Sequence, residues 1–527
     1  MLRELGYFAR MAAGYLDFAR TPPAPDPRGL VLRQLENRDA SFLGLMRQVV
    51  FANASNPYHS LFRWADCTYG DLEHAVRCDG LEATLRALHA AGVHLSHDEF
   101  KGKKPIERGG RRIVARPRDF ANPLVRGALE TTSSGSRSQG TITRPSLEFQ
   151  IYREAQESLF LRQFLSTPRV IGALFPILPS TVGLRRLLSC LRLGLPVEQW
   201  YTLGGSLRDS AHYRLMTRLL VYEAGLLGHK LRFPTYLPQN DFSPATRWIA
   251  RRRSDGADVL FMAPVSFSVR VAAAAMDLGL DIRGTIFLSG AEPLTEAKRA
   301  VIESAGAEIF PRYGISELGW VGHSCRQMNK SNCVHLMRDS VAVVGHRWRP
   351  PLSDMELDSL LISTLLPCTA HVLVNVEMED SGTLGPACCD CELKAMGFTD
   401  EIRDVYSYGK LTGQGVTLLG TDMLDVLEKN LPARFGGAPT DYQLVEREGA
   451  SQTETELRVS PRVGAVSQVE VRDFFMSEVR RLWGGSLASR QWSQTGGVRV
   501  VFEEPLISGE RKINSLHLLS SAEKGDH

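Results

Sequence analysis

The chain has 527 residues, of which 43% are hydrophobic and 23% are charged. This composition is typical of an ordinary globular protein, long enough for about three domains and a sizeable core. Its 62 lysines and arginines nearly balance its 59 acidic residues, so the net charge of +3 does not favour nucleic acid as a partner.

The N-terminal segment MLRELGYFARMAAGYLDFAR intersperses charged with apolar residues, which predicts an amphipathic helix and neither a signal peptide nor a membrane span. No later apolar run reaches the ~18 residues that a membrane-spanning helix needs. The nine cysteines of so long a chain predict buried thiols or metal ligands rather than a disulfide framework. These features together predict a cytoplasmic protein with no membrane span and no nucleic-acid partner.

Residues 1–125 are predicted to be mainly helical and to form the N-terminal part of a large domain. Leu81, Leu85, Leu88 and Ala91 recur at helical spacing. Prolines within residues 22–27 separate the first predicted helix from the second.

The segment Thr131–Thr141, TTSSGSRSQGT, combines hydroxyl side chains with Gly135, Gly140 and the single cation Arg137. Glycine lets backbone N–H groups approach an anion closely, and the hydroxyls and the guanidinium add further donors. The segment lacks the Gly-Lys-Ser/Thr ending of a P-loop. Such a composition alone is more typical of a surface linker, so the interpretation depends on the motifs that follow.

Residues 126–408 are predicted to form an α/β core. The runs VIGALFPI, VLFMAPV and GTIFLSG are strand-like, and each leads into a helix or a turn. This alternation predicts mostly parallel sheets, in which ligands bind beyond the carboxyl ends of the strands.

Residues 409–527 are predicted to form a small, mobile α+β domain, joined through the glycine-rich segment YSYGKLTGQG. Leu444–Val445, Leu457–Val459 and Val498–Phe502 are strand-like, and Val469–Leu482 has one apolar helical face.

Three acidic motifs follow strand-like runs of the core: SGAEP at 289–293, YGISE at 313–317 and EDSG at 379–382. Each motif alone is typical of a β-turn at the end of a strand. A late lysine, Lys512, lies in the segment ISGERKI.

The hydroxyl-rich loop, these motifs and the late lysine, in this order, resemble the adenylate-forming superfamily of acyl-CoA synthetases, nonribosomal-peptide adenylation domains and luciferases. The sequence is most similar to the branch of phenylacetate-CoA ligase-like and acyl-protein synthetase-like proteins, over about residues 50–515. YGISE is the best match. The resemblance implies a large N-terminal domain, a small C-terminal domain, ATP and Mg²⁺ as cofactors, and a small carboxylic acid as substrate.

The resemblance also implies a role for each motif. The loop would bind the β- and γ-phosphates of ATP, Gly290–Glu292 would line the adenine, Tyr313 would stack on it, and Asp380 would accept the ribose hydroxyls. Glu317 would hold Mg²⁺, and Lys512 would bridge the substrate carboxylate and the α-phosphate, which makes these two the catalytic candidates. The nucleotide-binding candidates are Thr132, Ser133, Ser134, Gly135, Ser136, Arg137, Gly140, Thr141, Gly290, Ala291, Glu292, Tyr313, Gly314, Ser316, Asp380 and Lys410.

The sequence departs from the pattern of the superfamily in the loop and near the C-terminus. Ser138 stands where a second glycine is usual. Gly409-Lys410 replaces the usual Gly-Arg of the hinge, and Leu411-Thr412 replaces the aspartate that normally follows. The usual Gly-Lys pair is spread over Gly509–Lys512.

Several cysteines and a histidine lie after the second and third acidic motifs. Cys-x-Cys can supply half of a tetrahedral zinc site, and some members of the similar branch hold a structural zinc in about these two places. The predicted ligands are Cys325, His335, Cys389 and Cys391, with Cys333 and Cys388 as alternates. Thiols that bind no metal are the other interpretation.

The sequence therefore predicts an AMP-forming ligase that converts a carboxylic acid and ATP to an acyl-adenylate and pyrophosphate. Coenzyme A, the phosphopantetheine of a carrier protein, or an amine would accept the acyl group. One alternative is a degenerate homologue that no longer adenylates and serves as a docking or scaffold protein. Another alternative keeps the acyl group on a side chain of the enzyme. The apolar segments FMAPVSFSV and LFPILPS favour an aromatic or aliphatic acid over a charged one.

Overall fold

The structure, a computed structural model, describes residues 2–127, 131–132, 142–165, 169–204, 207–328, 332–348, 356–407, 420–448, 453–482, 498–508 and 512–519. Within these ranges no helix is both long and apolar enough to cross a membrane. The α-helices are α1 (Leu2–Arg20), α2 (Pro27–Glu36), α3 (Arg38–Leu45), α4 (Pro57–Trp64), α5 (Tyr69–Asp79), α6 (Leu81–Ala90), α7 (His97–Phe100), α8 (Leu147–Arg162), α9 (Val182–Arg192), α10 (Leu207–Leu226), α11 (Ser243–Ser254), α12 (Val265–Asp277), α13 (Glu296–Ser304), α14 (Glu392–Ala395), α15 (Gly420–Asp425), α16 (Leu431–Phe435) and α17 (Gln468–Arg481).

The strands follow the same order along the chain and form one large sheet, one smaller sheet and two short hairpins. They are β1 (Ile106–Arg108), β2 (Arg111–Ile113), β3 (Thr131–Thr132), β4 (Ile142–Thr143), β5 (Arg169–Leu174), β6 (Val197–Leu203), β7 (Thr235–Leu237), β8 (Asp258–Pro264), β9 (Ile286–Gly290), β10 (Glu308–Ile315), β11 (Gly319–His323), β12 (Cys333–Leu336), β13 (Val341–Trp348), β14 (Leu357–Thr364), β15 (Val376–Pro386), β16 (Asp400–Ser407), β17 (Tyr442–Glu448), β18 (Thr453–Val459), β19 (Val498–Val501) and β20 (Leu516–Leu519).

The large sheet has the strand order β13-β14-β15-β16-β12-β11-β10-β9-β8-β5-β6-β7. Strands β5 to β10 and their helices form its parallel part, and β10 to β16 extend it with antiparallel pairs. The central strands β8 and β9 are apolar along most of their length because both faces of the sheet are covered by helices. The predicted α/β fold and its three strand-like runs are confirmed.

The N-terminal region is helical up to α7, as predicted. Leu81, Leu85 and Leu88 of α6 are buried in the core that this region shares with the antiparallel part of the sheet. Helix α8 begins where the Ser146 hydroxyl accepts a hydrogen bond from the backbone N–H of Phe149, which is an ordinary N-cap.

A separate four-stranded sheet near the C-terminus, ordered β19-β18-β17-β20, packs against α17. Val471, Phe475 and Val479 recur at helical spacing along α17 and are buried against this sheet. The predicted small α+β domain is confirmed.

Two buried ion pairs join the small sheet domain to helices of the large one. In the first, the Arg270 guanidinium of α12 lies 2.7 Å from an Asp441 carboxylate oxygen, and the two side chains are 1% and 2% exposed. In the second, Lys298 of α13 lies 2.9 Å from Glu428, whose other oxygen accepts a hydrogen bond from Thr295. Buried charges need partners in good geometry, so these pairs favour one docked arrangement of the two domains.

The predicted turn at Glu379–Gly382 is wrong, because these residues lie inside the long strand β15. The backbone of Glu379 has a φ of 60°, and the pairing of β15 with β16 shifts register between Ser381 and Thr383. These acidic and small residues therefore lie at a break in the regular pairing of β15 with β16. Such a break changes the direction in which the side chains of the strand point.

A third buried ion pair gives a test of the packing of the large domain. Arg192 of α9 lies 2.7 Å from Glu154 of α8, and both side chains are 1% exposed. The Arg192→Met substitution should lower the free energy of unfolding by about 3–5 kcal/mol because it leaves a carboxylate buried without its cation. Urea denaturation measures the loss.

Arg283→Met is the matched control, because Arg283 pairs with Asp281 on the surface and its side chain is 79% exposed. We expect no measurable change for this variant. Equal midpoints for the two variants would show that the buried pair does not hold α8 and α9 together.

Candidate active site and metal centre

The SGAEP motif begins at the carboxyl end of β9. Gly290 pairs with Arg312 of β10, and a Cβ atom at Gly290 would lie 2.7 Å from the Arg312 carbonyl oxygen, so only glycine fits there. Ala291 follows with a φ of 69°, a conformation that costs energy for a residue other than glycine. This turn aims the Ala291 carbonyl and the Glu292 carboxylate beyond the end of the strand.

The second and third motifs meet in space. The Tyr313 hydroxyl at the end of β10 donates a 2.6 Å hydrogen bond to Asp380 of β15, which is 67 positions later in the chain. Burial, together with the neighbouring Asp380 carboxylate, raises the pKa of Tyr313 well above its usual value, so the phenol stays protonated and can donate. The structure thus brings together the two residues predicted to contact adenine and ribose.

Glu317, the predicted magnesium ligand, lies in the turn after β10 and is buried. Its carboxylate accepts a 2.7 Å hydrogen bond from the Lys101 ammonium, and these side chains are 4% and 11% exposed. One carboxylate oxygen of Glu317 is therefore shared with a lysine. Gly314 and Ser316 of the same motif are exposed, as ligand-contacting residues must be before the ligand arrives.

Lys512 reaches the large domain at the SGAEP turn. Its ammonium lies 3.3 Å from the Ala291 carbonyl oxygen, which accepts the hydrogen bond, and Lys512 is 5% exposed. The next residue, Ile513, donates its backbone N–H to the Ser266 hydroxyl at 3.0 Å. Ser266 in turn donates its hydroxyl at 2.8 Å and its backbone N–H at 3.2 Å to Glu292. This chain of hydrogen bonds fixes the lysine segment against the end of β9.

Burial raises the pKa of Glu292, while Lys298 and Lys512 oppose that change. Glu292 is therefore engaged by Ser266 and by two lysine charges. In this structure the Glu292 carboxylate therefore helps to hold the segment that contains Lys512.

The hydroxyl-rich loop connects two short paired strands. Thr131 and Thr132 of β3 pair with Thr143 and Ile142 of β4, so the loop is the connection of a hairpin. The predicted phosphate-binding residues between these strands, Ser133, Ser134, Gly135, Ser136, Arg137, Gly140 and Thr141, lie outside the described residues, as does Lys410.

The predicted metal ligands lie together in space. One ligand atom from each of Cys325, His335, Cys389 and Cys391 falls within 4.8 Å of the other three, and all four residues are buried. The sulfur atoms of Cys389 and Cys391 lie 3.5 Å apart, and His335 Nε2 lies 3.2 and 3.1 Å from them. Bonds of about 2.3 Å from a tetrahedral zinc would separate two thiolate sulfurs by about 3.7 Å, which these spacings approach.

The second ring nitrogen of His335 is also engaged. Nδ1 lies 2.9 Å from the Phe398 carbonyl oxygen, which fixes the ring with Nε2 facing the sulfurs. Hydrogen bonds from Cys325 and from His335 lower the pKa of the Cys391 thiol to about 3, although burial opposes this. The donor set therefore suits zinc, and neither alternate ligand belongs to the cluster: Cys333 is not part of it, and the exposed Cys388 contacts the Pro386 carbonyl oxygen.

Three residues of the site were missed by the sequence analysis: Lys101, Ser266 and Arg270. Lys101 lies in the basic run FKGKK, whose position in the chain gives no indication that it faces YGISE. Ser266 and Arg270 belong to the apolar segment that begins with FMAPVSFSV, and its composition indicates a buried core segment. Their partners, Ile513 and Asp441, lie 247 and 171 positions away, which no local pattern can indicate.

No protein-family model and no curated protein sequence matches the chain. Solved structures do match it. A structure of 2-hydroxyisobutyryl-CoA ligase in the postadenylation state, in complex with R3-HIB-AMP, superposes with a TM-score of 0.55 at 11% identity, covering 96% of this chain and 92% of that one. o-Succinylbenzoate coenzyme A synthetase from Bacillus subtilis, in complex with AMP, gives a TM-score of 0.39 at 12% identity, covering 74% and 68%.

The fold match to the first of these ligases extends over nearly the whole length of both chains. It includes a large α/β domain followed by a smaller sheet domain, the arrangement that the order of motifs implies. This chain therefore has the fold of the matched 2-hydroxyisobutyryl-CoA ligase over nearly its whole length.

Proposed function

We propose that the protein is an AMP-forming acid ligase, which activates a carboxylic acid with ATP and transfers the acyl group to a thiol. The observation that carries the proposal is the position of Lys512, whose ammonium lies 3.3 Å from the Ala291 carbonyl oxygen at the end of β9. A cation from the small domain thereby enters the sheet edge where ligands of α/β proteins bind.

The nucleotide would lie across the ends of β9, β10 and β15. Tyr313 and Asp380, joined by their hydrogen bond, would contact adenine and ribose. The hydroxyl-rich loop would bind the β- and γ-phosphates with its hydroxyls and Arg137. The hinge would lie near Lys410, between a core of residues 126–408 and a mobile domain of residues 409–527.

The chemistry requires two anions to approach each other. A carboxylate oxygen bonds to the α-phosphorus, the bond from that phosphorus to the bridging oxygen breaks, and pyrophosphate leaves with the electron pair. Lys512 would offset the charge of both groups as the new bond forms.

Glu317 supplies a buried carboxylate that, with phosphate oxygens and water, suits Mg²⁺. The ion, when bound, supplies positive charge that screens the phosphates. Lys101 would compete with the ion for one oxygen of Glu317, because the Lys101 ammonium lies 2.7 Å from that carboxylate.

The acyl acceptor is proposed to be coenzyme A. The protein with the fold match over nearly the whole chain is a CoA ligase, in the printed description of that structure. A carrier protein or an amine is a second possible acceptor, for which the described residues offer no specific contact.

Lys512→Ala should lower the rate of ATP–pyrophosphate exchange by about two to three orders of magnitude, because the transition state loses a positioned cation. Exchange is measured over a panel of carboxylic acids with the full chain. Lys429→Ala is the matched control: this lysine lies in the same small domain, is exposed, and should leave exchange unchanged.

Normal exchange by the Lys512 variant would remove this lysine from the mechanism. No exchange by the wild-type protein with any acid would overturn the enzyme proposal. Calorimetric binding of ATP without exchange would then favour the docking or scaffold alternative, which Ser138 and Leu411-Thr412 motivate.

We further propose that Cys325, His335, Cys389 and Cys391 hold a structural zinc ion. Four protein ligands close a tetrahedral site and leave no position for substrate. The ion would fix the loop after β11 to the segment before α14, because Cys325 and Cys389 come from these two places.

The purified protein should contain about one zinc per chain by mass spectrometry of the metal. Cys389→Ser should lose the zinc and lower the apparent melting temperature by several degrees, since metal binding contributes to folding free energy. Cys388→Ser, one position earlier and outside the cluster, should keep both values. A zinc-free wild-type protein, or zinc lost equally from both variants, would contradict the assignment.

A further inference from the structure

Three arginine side chains gather around one tryptophan beneath the YGISE motif, and a fourth arginine is adjacent to one of them in the sequence. The guanidinium carbons of Arg153, Arg186 and Arg312 lie 5.3, 4.7 and 4.0 Å from the centre of the Trp320 ring. Arg185 is the neighbour of Arg186 on α9. Phe149, Phe160 and Phe175 complete the walls by stacking on the same arginines. We call these four arginines and their aromatic neighbours the arginine pocket.

The described residues supply one carboxylate to this pocket. Glu157 pairs with Arg312, and its charge also acts on Arg153, Arg185 and Arg186. The nearby Glu154 is already paired with Arg192. Among the described residues, no hydrogen bond or ion pair is made by the side chains of Arg153, Arg185 and Arg186, and the Nε of Arg186 is buried with no partner. Among the described residues, one buried and three half-buried guanidiniums therefore face one carboxylate, and this excess of positive charge costs free energy unless an anion balances it.

The four arginines differ in how much of their surface is accessible. Arg153, Arg185 and Arg186 keep part of their surface accessible, whereas the Arg312 side chain is fully buried. Burial nevertheless lowers the pKa of Arg185 to about 10 and that of Arg186 to about 9, and neighbouring arginines add to the shift. We call the side of the arginine pocket on which Arg153, Arg185 and Arg186 are accessible its cleft.

The cleft adjoins the proposed reaction centre. Trp320 pairs with Gly314, and a Cβ atom at Gly314 would lie 2.9 Å from the Trp320 ring, so the ring packs directly under the YGISE backbone. Arg312 immediately precedes Tyr313 and pairs with Gly290, one residue before the carbonyl that Lys512 contacts. The Lys512 contact and the arginine pocket therefore both lie near the carboxyl ends of β9 and β10.

We propose that the arginine pocket binds a second anionic group of the substrate, and that the acid activated by this protein is a dicarboxylic acid. One carboxylate would lie at Lys512 and react, and the other would accept hydrogen bonds from Arg153, Arg185 and Arg186. Guanidinium groups match a carboxylate in planar, two-point geometry, and the aromatic walls suit the carbon skeleton between the two acids. This inference depends on the proposed ligase function only for the carboxylate that reacts at Lys512.

The inference reverses the expectation of an uncharged acid. The segments FMAPVSFSV and LFPILPS are apolar because they form the ends of β8 and β5 and the start of α12, where they fill the core. The polarity of the proposed substrate cleft comes from α8, α9 and β10.

The test compares each dicarboxylic acid with its own monomethyl ester, which keeps one reactive carboxyl and nearly the same shape. Succinate, glutarate, adipate and the three benzenedicarboxylates form the panel in ATP–pyrophosphate exchange. We expect kcat/KM for the best diacid to exceed that of its monoester by about 100-fold, the usual effect of removing charged hydrogen bonds. Arg186→Met should bring this ratio close to unity. Arg247→Met, at an exposed position of α11, should keep it.

Two measurements need no catalysis. Calorimetry of the full chain should detect binding of the preferred diacid, and Arg186→Met should abolish it. Without ligand, Arg186→Met should raise the melting temperature, because one unbalanced buried cation is removed. A purely structural arginine would give the opposite change.

The possible results separate the two proposals. Exchange with monoesters at rates equal to or above those of the diacids overturns the dicarboxylate inference and leaves the ligase intact. Diacid binding that depends on Arg186, with no exchange for any acid, upholds the pocket and overturns the ligase. The absence of diacid binding to the wild-type protein overturns the inference whatever the exchange assay shows.

Discussion

The docking of the small domain depends on buried ion pairs, and the position of Lys512 depends on that docking. Arg270 pairs with Asp441, and Lys298 pairs with Glu428, with all four side chains at most 4% exposed. Buried pairs contribute little net stability, but a wrong arrangement would leave charges without partners. Ile513 donates a hydrogen bond to Ser266, and Ser266 donates one to Glu292. These two hydrogen bonds hold the segment that contains Lys512 at the end of β9.

Positively charged side chains lie around the carboxyl ends of the strands, where they suit the two negatively charged substrates of the proposed reaction, ATP and a carboxylic acid. Lys512 comes from the small domain, Lys101 from the helical N-terminal region, and the arginine pocket from beneath β10. Glu317 and Glu157 each balance one of these cations, at Lys101 and Arg312. The excess positive charge of the arginine pocket is what an anionic group of the proposed substrate would neutralise.

Local sequence predicted the main elements because apolar runs and helical periodicity reflect burial, which the fold confirms at β5, β8, β9 and α17. It failed at Glu379–Gly382, where turn-forming residues lie within the strand β15, because pairing on both sides overrides local preference. The spacing of the cysteines indicated a metal site and left six candidate ligands, of which the fold brings four together.

The sequence by itself determined the α/β class, the small C-terminal domain and the order of the motifs, because these follow from composition and periodicity along the chain. Only the tertiary structure decided which residues meet: Tyr313 with Asp380, Lys101 with Glu317, Ser266 with Ile513, and the arginines with Trp320. Each of these contacts joins separate elements and leaves no periodic signal in the sequence. An unbalanced buried charge likewise becomes visible only when the folded chain shows which cations lack an anion.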